Sequence, residues 1–295
     1  MFQFFQVLNS LTFYEENFLK AFEKNFKFAM IDLEFHPSIE KYRVNPDDFE
    51  TDTSRKSIVG GYGLVFFKVH KETHINVVVK KTKNPLDADP LFLRSFKREV
   101  ELLATSHHPA IVPFIGFSQD EAYGYIYLYE IENGSLLTFL VNASKGFRDK
   151  KLDDHRKLII SYGVALAMQY LHSLDRVHRD LKPDNILLDN EFHPYVADFG
   201  TAKEVDPGIP INQTLAETTA YIMAPEFMED PQFYSNTREL DVYAYGMTLY
   251  ELWTEIHPFQ NYKSIYRIYQ EVMHGGRPKI PSSLPQKWRD LIESC

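Results

Sequence analysis

Cysteine is nearly absent from this chain of 295 residues, and the only one is Cys295 at the last position. A disulfide framework and a cysteine-based zinc site are therefore excluded, and we expect a reducing, cytoplasmic location. Long apolar runs are also lacking, because no stretch approaches the roughly 20 residues that cross a bilayer. The apolar N-terminus lacks the basic segment of a secretory signal, so we expect no signal peptide.

Positive charge is scarce as well. The chain carries 32 Lys and Arg against 41 Asp and Glu, which gives a formal net charge of -9 at pH 7. We therefore expect no nucleic-acid partner, since a phosphate backbone attracts basic proteins. Hydrophobic residues make up 44% of the chain and aromatic residues 15%. This is enough for a core, and the length allows two domains or one two-lobed domain.

The N-terminal part, residues 1–47, differs in pattern from the rest, and we expect a helical extension followed by a linker. Over residues 1–35, apolar side chains recur at the spacing of a helix, namely at Leu11, Tyr14, Phe18, Phe22 and Phe26. We interpret this helix as packing on the rest of the protein. The alternative is a helix that contacts a membrane or a protein partner through residues 1–45. Residues 35–48 contain two prolines and no periodicity, which indicates a linker.

Strand patterns dominate the next part of the chain, which we expect to form a lobe over about residues 48–131. Runs of β-branched and aromatic residues indicate strands in SIVGGYGLVFFKV, HINVVVKK, AIVPFIGF and YGYIYLYEI. One amphipathic helix interrupts them, because Phe92, Phe96 and Leu103 share a face of the segment PLFLRSFKREVELLAT. The sequence therefore predicts a sheet with one main helix.

Helical patterns follow over about residues 132–295. Asp153 is a candidate N-cap of a long helix, whose apolar stripe we expect at Ile159, Tyr162, Leu166 and Tyr170. The later run RELDVYAYGMTLYELWTE is apolar on nearly every face, which indicates a buried helix. The sequence therefore predicts an α+β fold, with a strand-rich lobe first and a helical lobe second.

Four charged side chains stand in apolar surroundings, at Lys80, Glu99, Asp198 and Asp241. An isolated buried charge costs several kcal/mol, so each needs a partner or a ligand. Lys80 and Glu99 could satisfy each other. Asp198 and Asn185 carry oxygen atoms of the kind that bind Mg²⁺.

One family contains all of these features in this order: over roughly residues 48–295 the chain resembles the eukaryotic protein kinases. The resemblance rests on five motifs, VVVK at 77–80, HRDLKPDN at 178–185, DFG at 198–200, APE at 224–226 and DVYAYG at 241–246. It implies a two-lobed kinase fold, with an antiparallel β N-lobe and a mainly helical C-lobe. It also implies transfer of the γ-phosphate of ATP, with Mg²⁺, to protein hydroxyl groups. HPAIVPFIGF, ENGSL and LPQKWRDLIESC are similar to the tyrosine-kinase-like branch of the Ser/Thr kinases.

The resemblance also implies catalytic roles. Lys80 would hold the α- and β-phosphates of ATP, and Glu99 would orient Lys80. Asp180 would accept or orient the proton of the substrate hydroxyl. Lys182 would stabilise charge on the γ-phosphate, and a lysine at this place is similar to the Ser/Thr-specific group.

Metal and nucleotide sites follow from the same resemblance. Asn185 and Asp198 would bind Mg²⁺. Besides Lys80, the nucleotide would lie against Ile58, Gly60, Gly61, Gly63, Val65, Val78 and Leu187. Residues 128–133, LYEIEN, would form the hinge that contacts adenine, and either Leu128 or Tyr129 would guard the back of the pocket.

The segment between DFG and APE would regulate activity. Thr214 stands close to where the family carries its activating phosphate, and Arg179 could pair with such a phosphate. Thr219 fits the threonine that contacts the catalytic loop. His178 fits a packed structural histidine rather than a base.

The chain departs from the family pattern in two places. Gly60 and Gly63 match the second and third glycines of the family's phosphate loop, whereas the first is either replaced by Ile58 or lost through a one-residue deletion, which could lower the affinity for ATP. The family continues for one or two helices beyond Cys295 and includes an arginine that pairs with the glutamate of APE. We therefore expect Glu226 to lose that partner, which is costly for a buried carboxylate, so that either the chain is a fragment or another group covers Glu226.

These departures leave alternatives to an active kinase. One is a pseudokinase that binds nucleotide or a partner without turnover. Another is a small-molecule phosphotransferase on a related fold, although such relatives usually lack a full segment from DFG to APE.

Overall fold

The computed structural model describes residues 34–60, 63–144, 152–200, 220–230, 237–262 and 264–295. The predicted N-terminal helix lies outside the described residues apart from its last two positions. Gly61, Thr214 and Thr219 also lie outside them. In the part of the chain that the structure describes, no helix is both long and apolar enough to cross a membrane.

The described chain contains strands in both lobes and helices mainly in the second. The strands are β1 (Phe49–Thr51), β2 (Ile58–Gly60), β3 (Gly63–His70), β4 (Asn76–Thr82), β5 (Phe114–Gln119), β6 (Gly124–Tyr129), β7 (Ile186–Leu188) and β8 (Pro194–Val196). The helices are α1 (Pro37–Glu40), α2 (Pro90–Thr105), α3 (Leu136–Ser144), α4 (Asp154–Ser173), α5 (Pro225–Glu229), α6 (Glu239–Thr254), α7 (Ile265–Met273) and α8 (Gln286–Ser294). Short 3₁₀ turns occur at Pro46–Asp48, Pro183–Asn185 and Ala220–Ile222.

The first lobe is an antiparallel sheet in the order β1-β3-β4-β6-β5, with β2 also paired to β3. Helix α2 packs on this sheet, and a Cβ added to Gly124 would lie 2.5 Å from the ring of Phe96. The helix begins at Pro90 because the side chain of Asp89 accepts a hydrogen bond from the amide of Leu91 at 2.8 Å. The predicted sheet with one main helix is confirmed, as is the two-lobed α+β fold.

The strand register decides which side chains face the cleft between the lobes. Lys80 pairs with Val65 on one side, and Val78 pairs with Leu128 on the other. Directly paired residues share a face of the sheet, so all four lie on the face of Lys80. Leu128 is buried at 9% exposure, whereas Tyr129 is 40% exposed. Leu128 is therefore the buried member of the pair, on the same face of the sheet as Lys80.

Residues 34–51, which we call the N-terminal strap, pack closely on this lobe, so the predicted linker over residues 35–48 is wrong. Phe35 and Ile39 are buried. The amide of Val44 donates to the carbonyl oxygen of Phe117 at 2.9 Å, and the amide of Phe117 donates to Tyr42 at 3.0 Å. β1 then pairs with β3. Residues 35–48 show no helical or strand period, because the strap makes contacts at irregular intervals.

The second lobe is built around α6, and the prediction of a buried helix there is confirmed. Helices α4 and α8 both pack on α6. The rings of Trp253 and Trp288 stack with centroids 3.9 Å apart, and the indole Nε1 of Trp253 donates to Ser161 Oγ at 3.0 Å. These contacts join three helices of the second lobe.

The apolar stripe predicted for α4 is wrong by about one residue. The buried positions include Ile160, Val164, Ala167 and Leu171, whereas Tyr162 is 65% exposed. Apolar residues occupy two adjoining faces of this helix, so spacing alone did not decide which face is buried. The predicted N-cap is confirmed, since the side chain of Asp153 accepts from the amide of Arg156 at 2.9 Å.

This cap allows a test of the helix start. We expect Asp153→Ala to lower the free energy of unfolding by about 1 kcal/mol, because an amide of the first turn loses its acceptor. Urea unfolding measures the change. Asp154→Ala, on the neighbouring exposed residue, is the matched control and should cost less. Equal losses in the two variants would contradict the capping role.

Candidate active site

Lys80 joins three elements at the cleft. Its Nζ lies 2.7 Å from Glu99 Oε1 on α2 and 2.7 Å from Asp198 Oδ1 after β8. Burial by itself lowers the pKa of Lys80, but the carboxylates of Asp198 and Glu99 outweigh it and raise that pKa above its ordinary value. The lysine is therefore a fixed positive charge facing the cleft.

The loop of residues 178–185 is held from below by Asp241, which is fully buried at the start of α6. Its Oδ2 accepts from the amide of His178 and its Oδ1 from the amide of Arg179, both at 2.8 Å. His172 Nε2 is also 2.8 Å from Oδ2. Arg179 has a φ of 71°, a conformation that costs on the order of 1–3 kcal/mol for a residue other than glycine. The carboxylate of Asp241 stabilises this strained turn.

Asp180 lies at the centre of the loop and is buried. Lys182 Nζ donates to its Oδ1 at 3.0 Å, and Asn185 Nδ2 donates to its Oδ2 at 2.9 Å. Asn185 Nδ2 also donates to the backbone oxygen of Asp180 at 2.7 Å. Since the Nδ2 end of Asn185 is committed to Asp180, the amide oxygen is the end that can act as a ligand.

The DFG turn lies against this loop. Asp198 has a φ of 65°, so its backbone is in the left-handed region while its side chain meets Lys80. Phe199 is buried, and its ring lies 5.1 Å from that of His178. His178 is itself fully buried, with Nε2 3.1 Å from the carbonyl oxygen of Ala197. The prediction of a packed histidine agrees with this placement.

The candidate nucleotide residues form the upper wall of the cleft. Gly60 pairs with Gly63, and Ile58 pairs with Val65. Gly63 has a φ of +143°, and a Cβ there would lie 2.0 Å from the carbonyl oxygen of Lys81. Only glycine fits this position. Ile58 is 54% exposed, so its side chain stands at the open edge of the hairpin rather than in the core.

The lower wall comes from β7, where Leu187 is half-buried and pairs with Ser135 just after the hinge. The amide of Leu188 donates to Gly134 at 2.9 Å, and the amide of Asn133 donates to Leu188 at 3.0 Å. These bonds fix the hinge to the second lobe. Through the contact of Lys80 with Asp198 the structure brings together site residues of both lobes, whereas Gly61, Thr214 and Thr219 lie outside the described residues.

Glu226 is only half-buried, so the expected burial of this carboxylate is wrong. The guanidinium of Arg277 lies 5.3 Å from the centroid of the Tyr243 ring. Burial raises the pKa of Tyr243 to about 12, and the charges of Arg277 and Glu226 act on the same hydroxyl in opposite senses. Arg277 therefore brings a positive charge into the neighbourhood of Glu226.

Sequence reasoning missed two further charged groups near the loop. Burial lowers the pKa of Arg179 to about 10. The charge of Asp241 opposes this shift, and the positive charge of Arg98, on α2, adds to it. Glu251, on α6, is buried beside Asp184, and its Oε2 finds no hydrogen-bond partner among the described residues. A signal for Glu251 was present, because it is a carboxylate in a helix that is apolar on nearly every face. No signal in the sequence linked Arg98 to Arg179.

The buried carboxylate makes stability depend on pH. Burial, and next the charge of Asp184, raises the pKa of Glu251 from 4.5 to about 8. The folded protein keeps this proton where the unfolded chain has lost it. The stabilising contribution is therefore complete below about pH 4.5 and is lost as the pH rises through about 8.

We expect Glu251→Gln to be more stable than the native chain at about pH 9, by on the order of a few kcal/mol, and to differ little at about pH 5. Urea unfolding at both pH values measures this. The control is Glu239→Gln, an exposed residue on the same helix. An effect of Glu251→Gln that is the same at both pH values would contradict the assignment.

A strand-rich lobe carrying a lysine–glutamate pair, joined to a helical lobe that carries the aspartates, defines the two-lobed fold of protein phosphotransferases. A family model described as the protein kinase domain matches residues 56–295. The chain therefore belongs to the protein kinase family.

Curated relatives agree with this membership. A probable serine/threonine-protein kinase of Dictyostelium discoideum is 32% identical over 75% of the chain and 16% of the relative. A probable LIM domain-containing serine/threonine-protein kinase of the same organism is 31% identical over 80% of the chain and 34% of the relative. A putative serine/threonine-protein kinase/receptor of Acanthamoeba polyphaga mimivirus is 32% identical over 80% of the chain and 14% of the relative. The chain thus spans about a third or less of the length of these relatives.

Proposed function

We propose that this chain is a Ser/Thr protein kinase that transfers the γ-phosphate of ATP to hydroxyl groups of proteins. The observation that carries the proposal is the contact of Lys80 with both Glu99 and Asp198 at 2.7 Å, because this joins the two lobes in one charged site. The relatives bear the names of Ser/Thr kinases. Lys182, close to Asp180, supports Ser/Thr specificity, and we assign the chain to the tyrosine-kinase-like branch by its sequence motifs.

Each residue then has a chemical task. Phosphoryl transfer needs positioning and neutralisation of charge more than covalent chemistry. Lys80 holds the α- and β-phosphates, and Glu99 keeps it in place. Asp180 orients the substrate hydroxyl and takes its proton, while Lys182, 3.0 Å from Asp180 Oδ1, neutralises charge on the transferred group.

Two residues fit a magnesium site. The oxygen of Asn185 and the carboxylate of Asp198 are hard ligands, and Mg²⁺ commonly uses one or two protein ligands together with phosphate oxygens. When bound, the metal ion neutralises charge on the β- and γ-phosphates. Asn185 is held by its two hydrogen bonds to Asp180, so the metal ligand and the proton acceptor are aligned by one side chain.

A pseudokinase is the second candidate, and Ile58 in place of a glycine favours it. Glycines allow the backbone to approach phosphates closely, and a side chain at this position restricts that approach. Both candidates bind nucleotide, but only the kinase transfers phosphate. We propose a cytoplasmic location for either one.

The test is transfer of labelled γ-phosphate from ATP with Mg²⁺ to a generic Ser/Thr protein substrate. We expect Asp180→Asn to lower the rate by about 10²–10⁴-fold, the usual worth of a positioned acid or base, while nucleotide binding is retained. Asp175→Asn is the matched control, since its side chain is 84% exposed. If the native chain binds nucleotide but transfers no phosphate, the result favours the pseudokinase. Full turnover by Asp180→Asn would contradict the role of Asp180 as proton acceptor.

Arg179 suggests how the activity is regulated. Its Nη1 is buried without a hydrogen-bond partner among the described residues, and the charge of Arg98 acts on it. Two neighbouring guanidinium groups favour an anion, and a planar guanidinium pairs well with phosphate. We propose that a phosphate on the activation segment, at Thr214, pairs with Arg179.

We expect native protein phosphorylated at Thr214 to lose activity about tenfold on phosphatase treatment, equivalent to roughly 1.4 kcal/mol of barrier. Thr214→Ala should not respond to the phosphatase, and mass spectrometry establishes the phosphate. In Arg179→Ala, phosphorylation should no longer raise the activity. In Arg238→Ala, which changes an exposed arginine, the activation by phosphate should be kept. A phosphatase effect that survives in Thr214→Ala would place the activating phosphate elsewhere.

A further inference from the structure

The N-terminal strap extends from Glu34 to Thr51 and lies outside the kinase family match, which begins at residue 56. It nevertheless packs on helix α2 and strand β5 of the first lobe, and its last residues pair with β3 as strand β1. We infer that the strap positions helix α2, and through it Glu99, so that Phe35 and Lys97 are positioning residues for phosphate transfer. This inference rests on the proposed kinase activity.

The contact with helix α2 is made by Lys97, two residues before Glu99. Lys97 Nζ donates to the carbonyl oxygen of Glu34 at 3.0 Å and lies 5.6 Å from the centroid of the Phe35 ring. Phe35 is buried, with its ring centroid 4.7 Å from that of Phe117 on β5. One aromatic ring of the strap therefore lies between the helix and the sheet.

The strap is fixed to the sheet independently of the helix. Tyr42 and Val44 each form a backbone hydrogen bond with Phe117. The guanidinium of Arg43 lies 4.8 Å from the centroid of the Phe117 ring. A Cβ added to Gly116 would come within 2.3 Å of the carbonyl oxygen of Tyr42. The strap approaches the sheet too closely for any larger residue at that point, so its position is well defined.

Helix α2 needs such a support because its catalytic contact is sensitive to small shifts. The bond from Lys80 to Glu99 is 2.7 Å long, and a displacement of about 1 Å takes it beyond hydrogen-bond range. Helices move as units, so a shift at Lys97 is passed to Glu99. Ser95 Oγ also donates to the oxygen of Gly200 at 3.3 Å. The helix is thus held by the DFG turn on one side and by the strap on the other.

The experiment uses the full chain and measures kcat for transfer to the generic protein substrate. We expect Phe35→Ala and Lys97→Ala each to lower kcat by about 10- to 100-fold, the range for misplacement of a catalytic group by about 1 Å. Phe35→Leu should recover part of the loss. Arg94→Ala is the control, because Arg94 is an exposed residue of the same helix and kcat should be unchanged.

A double-mutant cycle separates positioning from general stability. In a Glu99→Gln background, Phe35→Ala should have little further effect on kcat, because the contact it supports is already lost. A purely structural role predicts the same fold-loss in both backgrounds. Gly116→Ala displaces the strap while leaving the side chains of Phe35 and of α2 unchanged, so its loss of kcat should resemble that of Phe35→Ala. This variant provides the test if Phe35→Ala does not fold.

Hydrogen exchange of the α2 amides gives a readout that does not need activity. We expect faster exchange in Lys97→Ala than in Arg94→Ala. If the native chain transfers phosphate but the strap variants keep kcat within about twofold and α2 exchange unchanged, the inference is overturned. If the native chain transfers no phosphate, the proposed function fails instead, and the exchange data alone decide whether the strap holds α2.

Discussion

One partly buried lysine holds the two lobes in a common arrangement. Lys80 contacts Glu99 from the first lobe and Asp198 from the second, each at 2.7 Å. A buried ion pair is a weak source of stability, since desolvation offsets much of its attraction. Here the ion pair matters for geometry, because the three elements that contact the Lys80 ammonium group must approach it from fixed directions. Helix α2, strand β4 and the DFG turn all take their places from this contact.

A buried carboxylate has a comparable role in the helical lobe. Asp241 accepts from two consecutive amides of the loop that carries Asp180, and it stabilises a left-handed residue, Arg179. Loops rarely hold strained backbone without such help. The site therefore depends on two charges, the partly buried Lys80 that joins the lobes and the buried Asp241 that shapes the loop. Both are groups that an apolar environment excludes unless they are partnered.

The parts that the sequence predicted well were those in which chemistry dictates residue type. Lys80 and Asp241 were recognisable because charge in an apolar run requires a partner. The N-terminal strap was not, because its contacts follow no helical or strand period and residues such as Phe35 read as part of a linker. The side of α4 that faces the core was also missed, because apolar residues occupy two adjoining faces. The proximity of Arg98 to Arg179 depends on how two lobes pack, which no local pattern contains.

The strap also affects whether the edges of the sheet can pair with strands of other molecules. A sheet edge with unpaired amides and carbonyls is a template for pairing with other chains. At one edge, the outward amide and carbonyl of Phe117 are already bonded to the strap. At the other, the strap ends as β1, a strand of only three residues. The same segment that supports helix α2 thus also shields the sheet from strand addition by a second molecule, so its loss would favour aggregation.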